Sequence, residues 1–470
     1  MFNASPSIPH NGTKETPFGR AVVIGGSVAG LTTAKVLAGH FATITVIERS
    51  PMADGLEFPK GVPQSRHPHV LLIRGEQILE DLFPGFRQNL LDGGANRLNF
   101  GRDLKMRFPD GWLPHYETAM EATATSRRLL DHTIYQRVAE NRKITFKANS
   151  EVMALCTDDD NQRVIGVQIR NRENGRIEDI PAELVVDASG RSSKAPEWLS
   201  QLGYTPPKEQ TVNAFPGYST RIYEIPEGFA ENWKTLYIMP NPPHVTRGAI
   251  IVPMEGNLWH ISLIGMNRDY PPTDEAGFLE FARSLVSPEV YEALKTARPV
   301  SPIWGYRNAE NRLRRYDRLE RYLEGFVALG DAVYALNPVY GQGMTLAAIA
   351  TQLLDQCLTE QAQQAAGNGF SGMAEKFQKH LRKELAMPWQ NATNEDMRWT
   401  ATEGKQELDT ASKVIGNYFK LVLKAMPHSV KATNAFFHVQ HMIAPPTLLM
   451  RPDIVANVLK TNLALRFTKS

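Results

Sequence analysis

The first apolar run, Arg20 to Gly26, is short and ends in glycines, the pattern of a buried strand entering a tight turn. Leu31, Ala34, Leu37 and Ala38 then fall at helical spacing, so Val28 to Gly39 predicts a helix and Ile44 to Glu48 the next strand. This is one β-α-β unit, the smallest piece of a doubly wound sheet. Farther on the period shortens. Ile144–Phe146, Val164–Ile169 and Ile177–Ile180 predict short strands with Glu173-Asn174-Gly175 as a hairpin turn, and Leu184–Val186 returns as a buried strand. A second β-rich block spans Tyr218 to Ile264, where Ala249–Val252 and Leu258–Ile264 flank the turn Met254-Glu255-Gly256-Asn257. Two helices follow, the second announced by Ser287 as cap and Pro288 at the first helical position. Phe326–Leu329 predicts another buried strand and Met344–Leu358 a helix; the remainder to Ser470 is helical in pattern, punctuated by Pro427 and Pro445-Pro446.

Length and composition narrow the reading. The 470 residues are 42% hydrophobic, enough for a large core and for about three domains' worth of chain. A formal net charge of +2 gives no case for nucleic acid or a polyanionic substrate. Two cysteines, Cys156 and Cys357, supply neither a disulfide framework nor a thiolate cluster. The first residues are polar and proline-rich without the apolar core of a signal peptide, and read as a disordered tail. No uninterrupted apolar run reaches membrane-spanning length, so the expectation is a cytoplasmic protein.

Candidate chemistry sits in the turns. In A-V-V-I-G-G-S-V-A-G (Ala21 to Gly30), Gly25 permits the bend and Gly30 lets helix and strand approach, with a pyrophosphate at the helix N-terminus. Ser27 stands where the fingerprint has its middle glycine; it is small, and its hydroxyl can itself donate to phosphate. Glu48, 23 residues after Gly25, is placed to accept from ribose hydroxyls, which argues against NADP here. Alone, this element does not separate NAD from FAD. A second element, V-A-L-G-D-A-V-Y-A-L-N-P-V-Y-G-Q-G-M (Val327 to Met344), reads as a strand, a Gly-Asp, then a Pro/Gly-rich turn opening a helix.

Together the two elements resemble the FAD-binding half of the flavoprotein monooxygenase superfamily, with its para-hydroxybenzoate-hydroxylase fold. The resemblance implies an α/β fold: a Rossmann-like FAD-binding domain (20–80, 117–205 and 312–358) interleaved with a β-rich substrate domain (81–116 and 206–311), after a disordered tail (1–19) and before a helical C-terminal extension (359–470). Asp331 then matches the aspartate on the ribityl chain, and Asn337 to Met344 the loop against the pyrimidine side of the ring, where the helix opening at Gly343 aims its N–H groups at the flavin. Arg127 matches the arginine near the pyrophosphate. The implied FAD contacts are Gly25, Ser27, Val28, Ala29, Gly30, Glu48, Arg49, Arg66, Arg127, Val152, Asp331, Pro338, Gly341, Gly343 and Met344. Val185 to Arg191 (V-V-D-A-S-G-R) resembles a third signature in which serine replaces the second aspartate of aromatic hydroxylases.

Lys60 to Leu72 (K-G-V-P-Q-S-R-H-P-H-V-L-L), with Leu82-Phe83-Pro84-Gly85, Ser126 to Asp131 and Asn337 to Gly341, is similar to the flavin epoxidases of ionophore polyether biosynthesis, the lasalocid and monensin type. The implied reaction transfers oxygen from a flavin C4a-hydroperoxide to an apolar alkene in secondary metabolism. O2 is the co-substrate, and NAD(P)H the electron source directly or through a separate flavin reductase. Such chemistry needs no protein nucleophile, and no catalytic side chain is assigned. His67 and His69 are expected to pack locally, with no metal site. Two relatives share the scaffold. A flavin-dependent halogenase should carry W-x-W-x-I-P, and Ile303 to Arg307 (I-W-G-Y-R) does not match; a reductase of the geranylgeranyl type is compatible with D-A-S-G. Between Lys405 and Ser470 nine Lys/Arg face three Asp/Glu, and Val414 to Met426 is apolar with lysines. Helices roofing the substrate cavity are favoured there over a peripheral membrane contact.

Overall fold

The computed structural model describes residues 18–52, 63–307, 309–364, 369–406 and 410–467. The polar segment up to residue 17 and the first three positions of the Lys60 to Leu72 motif therefore lie outside the described residues, whereas Phe18 and Gly19, assigned above to the tail, already belong to the first strand.

Five parallel strands form the central sheet in the order Phe326–Ala328, Leu184–Asp187, Phe18–Ile24, Phe41–Ile47, Ile144–Lys147. They come from three distant stretches of chain, and Leu184–Asp187, Phe326–Ala328 and most of Phe18–Ile24 are buried, as strands covered on both faces must be. Helices Val28–Leu37, Arg127–Ala139 and Gly343–Gln364 pack against this layer, and Thr32 and Thr351 share a hydrogen bond where two of them cross. An antiparallel meander of Ser150–Thr157, Val164–Asn171 and Ile177–Pro181 adds to the same core.

The second layer is a seven-stranded mixed sheet in the order Trp304–Tyr306, Gly217–Glu224, Leu258–Gly265, Arg247–Met254, Thr235–Ile238, Leu104–Phe108, Gly111–Trp112. The Glu255-Gly256-Asn257 hairpin has positive φ at Gly256 and Asn257, the backbone such a tight turn demands. Helices Glu275–Arg283 and Glu289–Thr296 cover one face of this sheet around Trp259 and Phe278. Ser287, expected as a cap, instead bonds the Glu289 carboxylate. The C-terminal part is helical, with Thr410–Ala425, Val430–Gln440 and Pro452–Phe467 packing on the Leu104–Phe108 end of the second sheet. No helix among the described residues is long and apolar enough to cross a membrane.

Candidate active site

A cavity of about 1050 Å³ runs between the two sheets and under the C-terminal helices. Single-ligand sites occupy roughly 300–1,000 Å³, so this one is at the large end, a size that suits a dinucleotide.

One end is the turn after Phe18–Ile24. Gly25 has φ +107°, and a Cβ there would lie 2.6 Å from the Ala188 carbonyl oxygen. At Gly30 a Cβ would meet the Gly25 carbonyl oxygen at 1.8 Å, so the close approach of helix and strand admits only glycine. Gly30 thus shapes the turn from behind and does not line the cavity, while Gly25, Ser27, Val28 and Ala29 do. Among the described residues no side chain caps the Val28–Leu37 helix, so its first N–H groups remain available to an anion. Ser27 accepts from Arg127 Nη2 at 2.8 Å, and Arg127 is fixed by Nε to Asp131 at 2.7 Å. Serine in place of the middle glycine therefore joins a cationic clamp built from two elements. Glu48 holds the same turn from the side, accepting from the N–H of Gly26 at 2.7 Å and of Ser50 at 2.9 Å; Arg49 lines the cavity beside it.

The other end is the Gly330–Met344 stretch. Asp331, Pro338, Gly341, Gly343 and Met344 all line the cavity. Protein surrounds Asp331, yet its carboxylate faces the cavity with 37% of the side chain accessible. Burial raises its pKa, and Arg191, Arg127 and Arg312 oppose the shift. Asn337 accepts from the Val339 N–H at 3.1 Å, closing the Pro338–Tyr340 turn, and Gly341 follows at φ +65°. Gly343 then opens a 22-residue helix with its N-terminus on the cavity. Gln342 is buried on this wall, and its Oε1 has no hydrogen-bond partner among the described residues. An uncapped helix end, a cationic clamp, a glycine cradle and an orphaned amide oxygen along one channel fit a bound FAD.

Two expected contacts lie elsewhere. Val152 points into the core between the meander and the parallel sheet and does not line the cavity, because alternation along its strand turns that position to the apolar face. Arg66 is exposed and stands over the Trp304 ring at 5.8 Å, while its carbonyl accepts from His260. Its neighbours His67 to Leu72 take the place on the cavity wall expected of it. His67 Nδ1 lies 2.7 Å from Thr220 Oγ1, which donates to Ser262. Burial, reinforced by His260 and Arg66, lowers the His67 pKa to about 4, so the imidazole is neutral at pH 7.

Beyond the ring loop part of the wall is hydrocarbon. Val339 packs with Tyr218 and Ile264 of the second sheet, and Tyr237 leads to Phe100, Met106, Phe436 and Phe437. Missing from the sequence reading are Tyr218, Tyr237, Tyr306 and the buried Asp396, none of which belongs to a local motif. Asp396, at the end of helix Ala386–Asp396, accepts from Tyr340 (2.6 Å), Asn311 (2.6 Å) and Asn337 (3.1 Å), tying the C-terminal part to the ring loop.

Fold and cradle define a FAD-binding flavoprotein. A model of the FAD binding domain family matches residues 20–371, and the chain belongs to that family. Protein Rv3254 of Mycobacterium tuberculosis is 32% identical over 354 residues, 73% of each chain. Among solved structures, a triple mutant of the flavin-dependent brominase Bmp2 superposes with a TM-score of 0.63 at 14% identity, covering 96% of this chain and 99% of its own. The myxobacterial chondrochloren halogenase CndH gives 0.62 at 16% identity, covering 90% and 97%. At such identities the structural likeness is one of fold.

Proposed function

We propose that the protein is a flavin-dependent monooxygenase that epoxidises an apolar alkene, with NAD(P)H as the electron source directly or through a separate flavin reductase. The balance is alkene, O2, NAD(P)H and a proton to epoxide, NAD(P)⁺ and water. The observation that carries this reading is the continuity of the ring-loop end of the cradle with a chamber walled by Phe100, Met106, Phe436 and Phe437. Bound FAD supplies the capacity to accept electrons and to activate O2. The chain supplies the rest. Arg127, Ser27 and the Val28–Leu37 helix end would hold the pyrophosphate, Glu48 the ribose and Asp331 the ribityl chain. The Gly343–Gln364 helix end stabilises negative charge at the ring loop by up to ~2 kcal/mol when partly buried. Apolar walls exclude water and hold the alkene where reach, not a protein nucleophile, decides the reaction. Neutral His67 and the tyrosines offer hydrogen bonds without a charge that would draw water in.

The test is turnover of FAD-loaded protein with NAD(P)H, a flavin reductase, isotopically labelled O2 and a panel of apolar alkenes. One labelled oxygen in an epoxide is the expected product. A saturated product without label would replace this reading with a reductase, and a halogenated product made only when halide is present would replace it with a halogenase.

A further inference from the structure

Helices Thr410–Ala425 and Pro452–Phe467 pack on each other through Val422 and Val458, and Asn462 donates to the Leu421 carbonyl at 2.9 Å. Away from that seam they carry large apolar side chains in water. Leu459, Leu463 and Phe467, four residues apart on one face, are 51%, 55% and 73% exposed. Val414 and Ile415 on the companion helix are 63% and 55% exposed. The same helices bear Lys413, Lys420, Lys424, Lys460 and Arg466 and a single acid, Asp453, already engaged by Lys431 at 2.9 Å and Arg451 at 3.1 Å. Lys413, Ile415, Gly416 and Asn417 also line the cavity, and Phe419 and Leu423 of the same helix line its apolar interior.

We propose that this two-helix face docks on an anionic phospholipid bilayer. Apolar side chains set among cations, with almost no acid, are the composition of a surface that lies in the headgroup region. A second copy of the chain fits poorly, since a two-fold interface would bring the same five cations against themselves. A soluble anion would leave Leu459, Leu463 and Phe467 in water. The docked face sets the cavity mouth at Lys413 to Asn417 against the bilayer, so an apolar substrate passes from the lipid into the chamber. That last step rests on the monooxygenase reading; the docking does not.

The experiment is flotation of FAD-loaded protein with phosphatidylcholine vesicles and with vesicles of phosphatidylcholine and phosphatidylglycerol, read by flavin absorbance. Binding to the anionic vesicles alone, falling with added salt, is expected. Lys460→Gln with Arg466→Gln should weaken it by about 25-fold, roughly fivefold for each cation lost near the surface. Leu463→Asp with Phe467→Asp should abolish it while the flavin spectrum stays that of the parent. No flotation with either vesicle, or variants that float like the parent, would overturn the proposal. So would a dimer by light scattering that the Leu463→Asp, Phe467→Asp variant converts to monomer, since a second copy would then cover the face. None of these readouts requires turnover.

Discussion

Asp396→Asn offers a direct probe of how the C-terminal part holds the ring loop. The carboxylate is fully buried and, among the described residues, accepts from uncharged donors, the Tyr340 hydroxyl and the Asn311 and Asn337 amides. Burial therefore dominates and raises its pKa from 3.8 to about 7, the hydrogen bonds pulling the other way. In the unfolded chain the proton leaves near 3.8, so between that value and about 7 the native state holds the extra proton. The resulting stability is fully present below the unfolded pKa and is lost as pH rises through the folded one. Over the whole window it amounts to about 4 kcal/mol at 1.36 kcal/mol per unit, an order-of-magnitude figure. Between about pH 5 and about pH 8 roughly two units are sampled, about 2.7 kcal/mol. For a chain of this length the entropy of unfolding is about 1 kcal/mol per degree, so the effect is a shift of about 3 °C. Asparagine keeps the shape and cannot ionise. The assay is the Tm of parent and Asp396→Asn across that range by differential scanning calorimetry, with the pH dependence of their difference isolating this group. The parent should lose about 3 °C relative to the variant as pH rises. Parallel curves would refute a buried carboxylate with this environment.

Three further outcomes follow from the same geometry. His67, His260 and His441 are buried with pKa values lowered to about 4, 4 and 3, so each contributes stability present above the unfolded 6.5 and lost as pH falls toward the folded value; His260→Gln should blunt acid unfolding followed by circular dichroism. Gly30→Ala places a methyl 1.8 Å from the Gly25 carbonyl oxygen and should yield protein without flavin, measured by absorbance of the purified chain. Arg127→Lys removes the forked contact to Ser27 and Asp131 and should weaken FAD binding by about 1.5–3 kcal/mol, or roughly 10- to 150-fold, in a fluorescence titration of the apoprotein.

The parts legible in the sequence are those whose meaning is local. The Ala21 to Gly30 turn, Glu48 and the Asp331 to Met344 loop each state their backbone needs within a few residues, and the structure gathers them on one cavity. The composition of the substrate side was not legible in this way. Tyr218 and Ser262 face the cavity because of a strand register set between Gly217–Glu224 and Leu258–Gly265. Phe436 and Phe437 reach it from a helix more than 300 residues beyond Phe100, which Phe437 touches. Asp396 sits in a polar helix, A-M-P-W-Q-N-A-T-N-E-D, with nothing nearby to distinguish it from a solvated acid; only the packing of that helix under Tyr340 makes it a buried acceptor. Val152 and Arg66 err in the opposite sense, as positions given a role by resemblance where strand alternation and the Trp304 ring direct the side chains elsewhere.

Oxygen transfer from the flavin is decided by stopped-flow absorbance of the FAD-loaded, anaerobically reduced protein mixed with oxygenated buffer. The expected result is a transient species spectrally distinct from oxidised flavin, whose decay an apolar alkene accelerates. Direct return to oxidised flavin, with no transient even when alkenes are present, would contradict it.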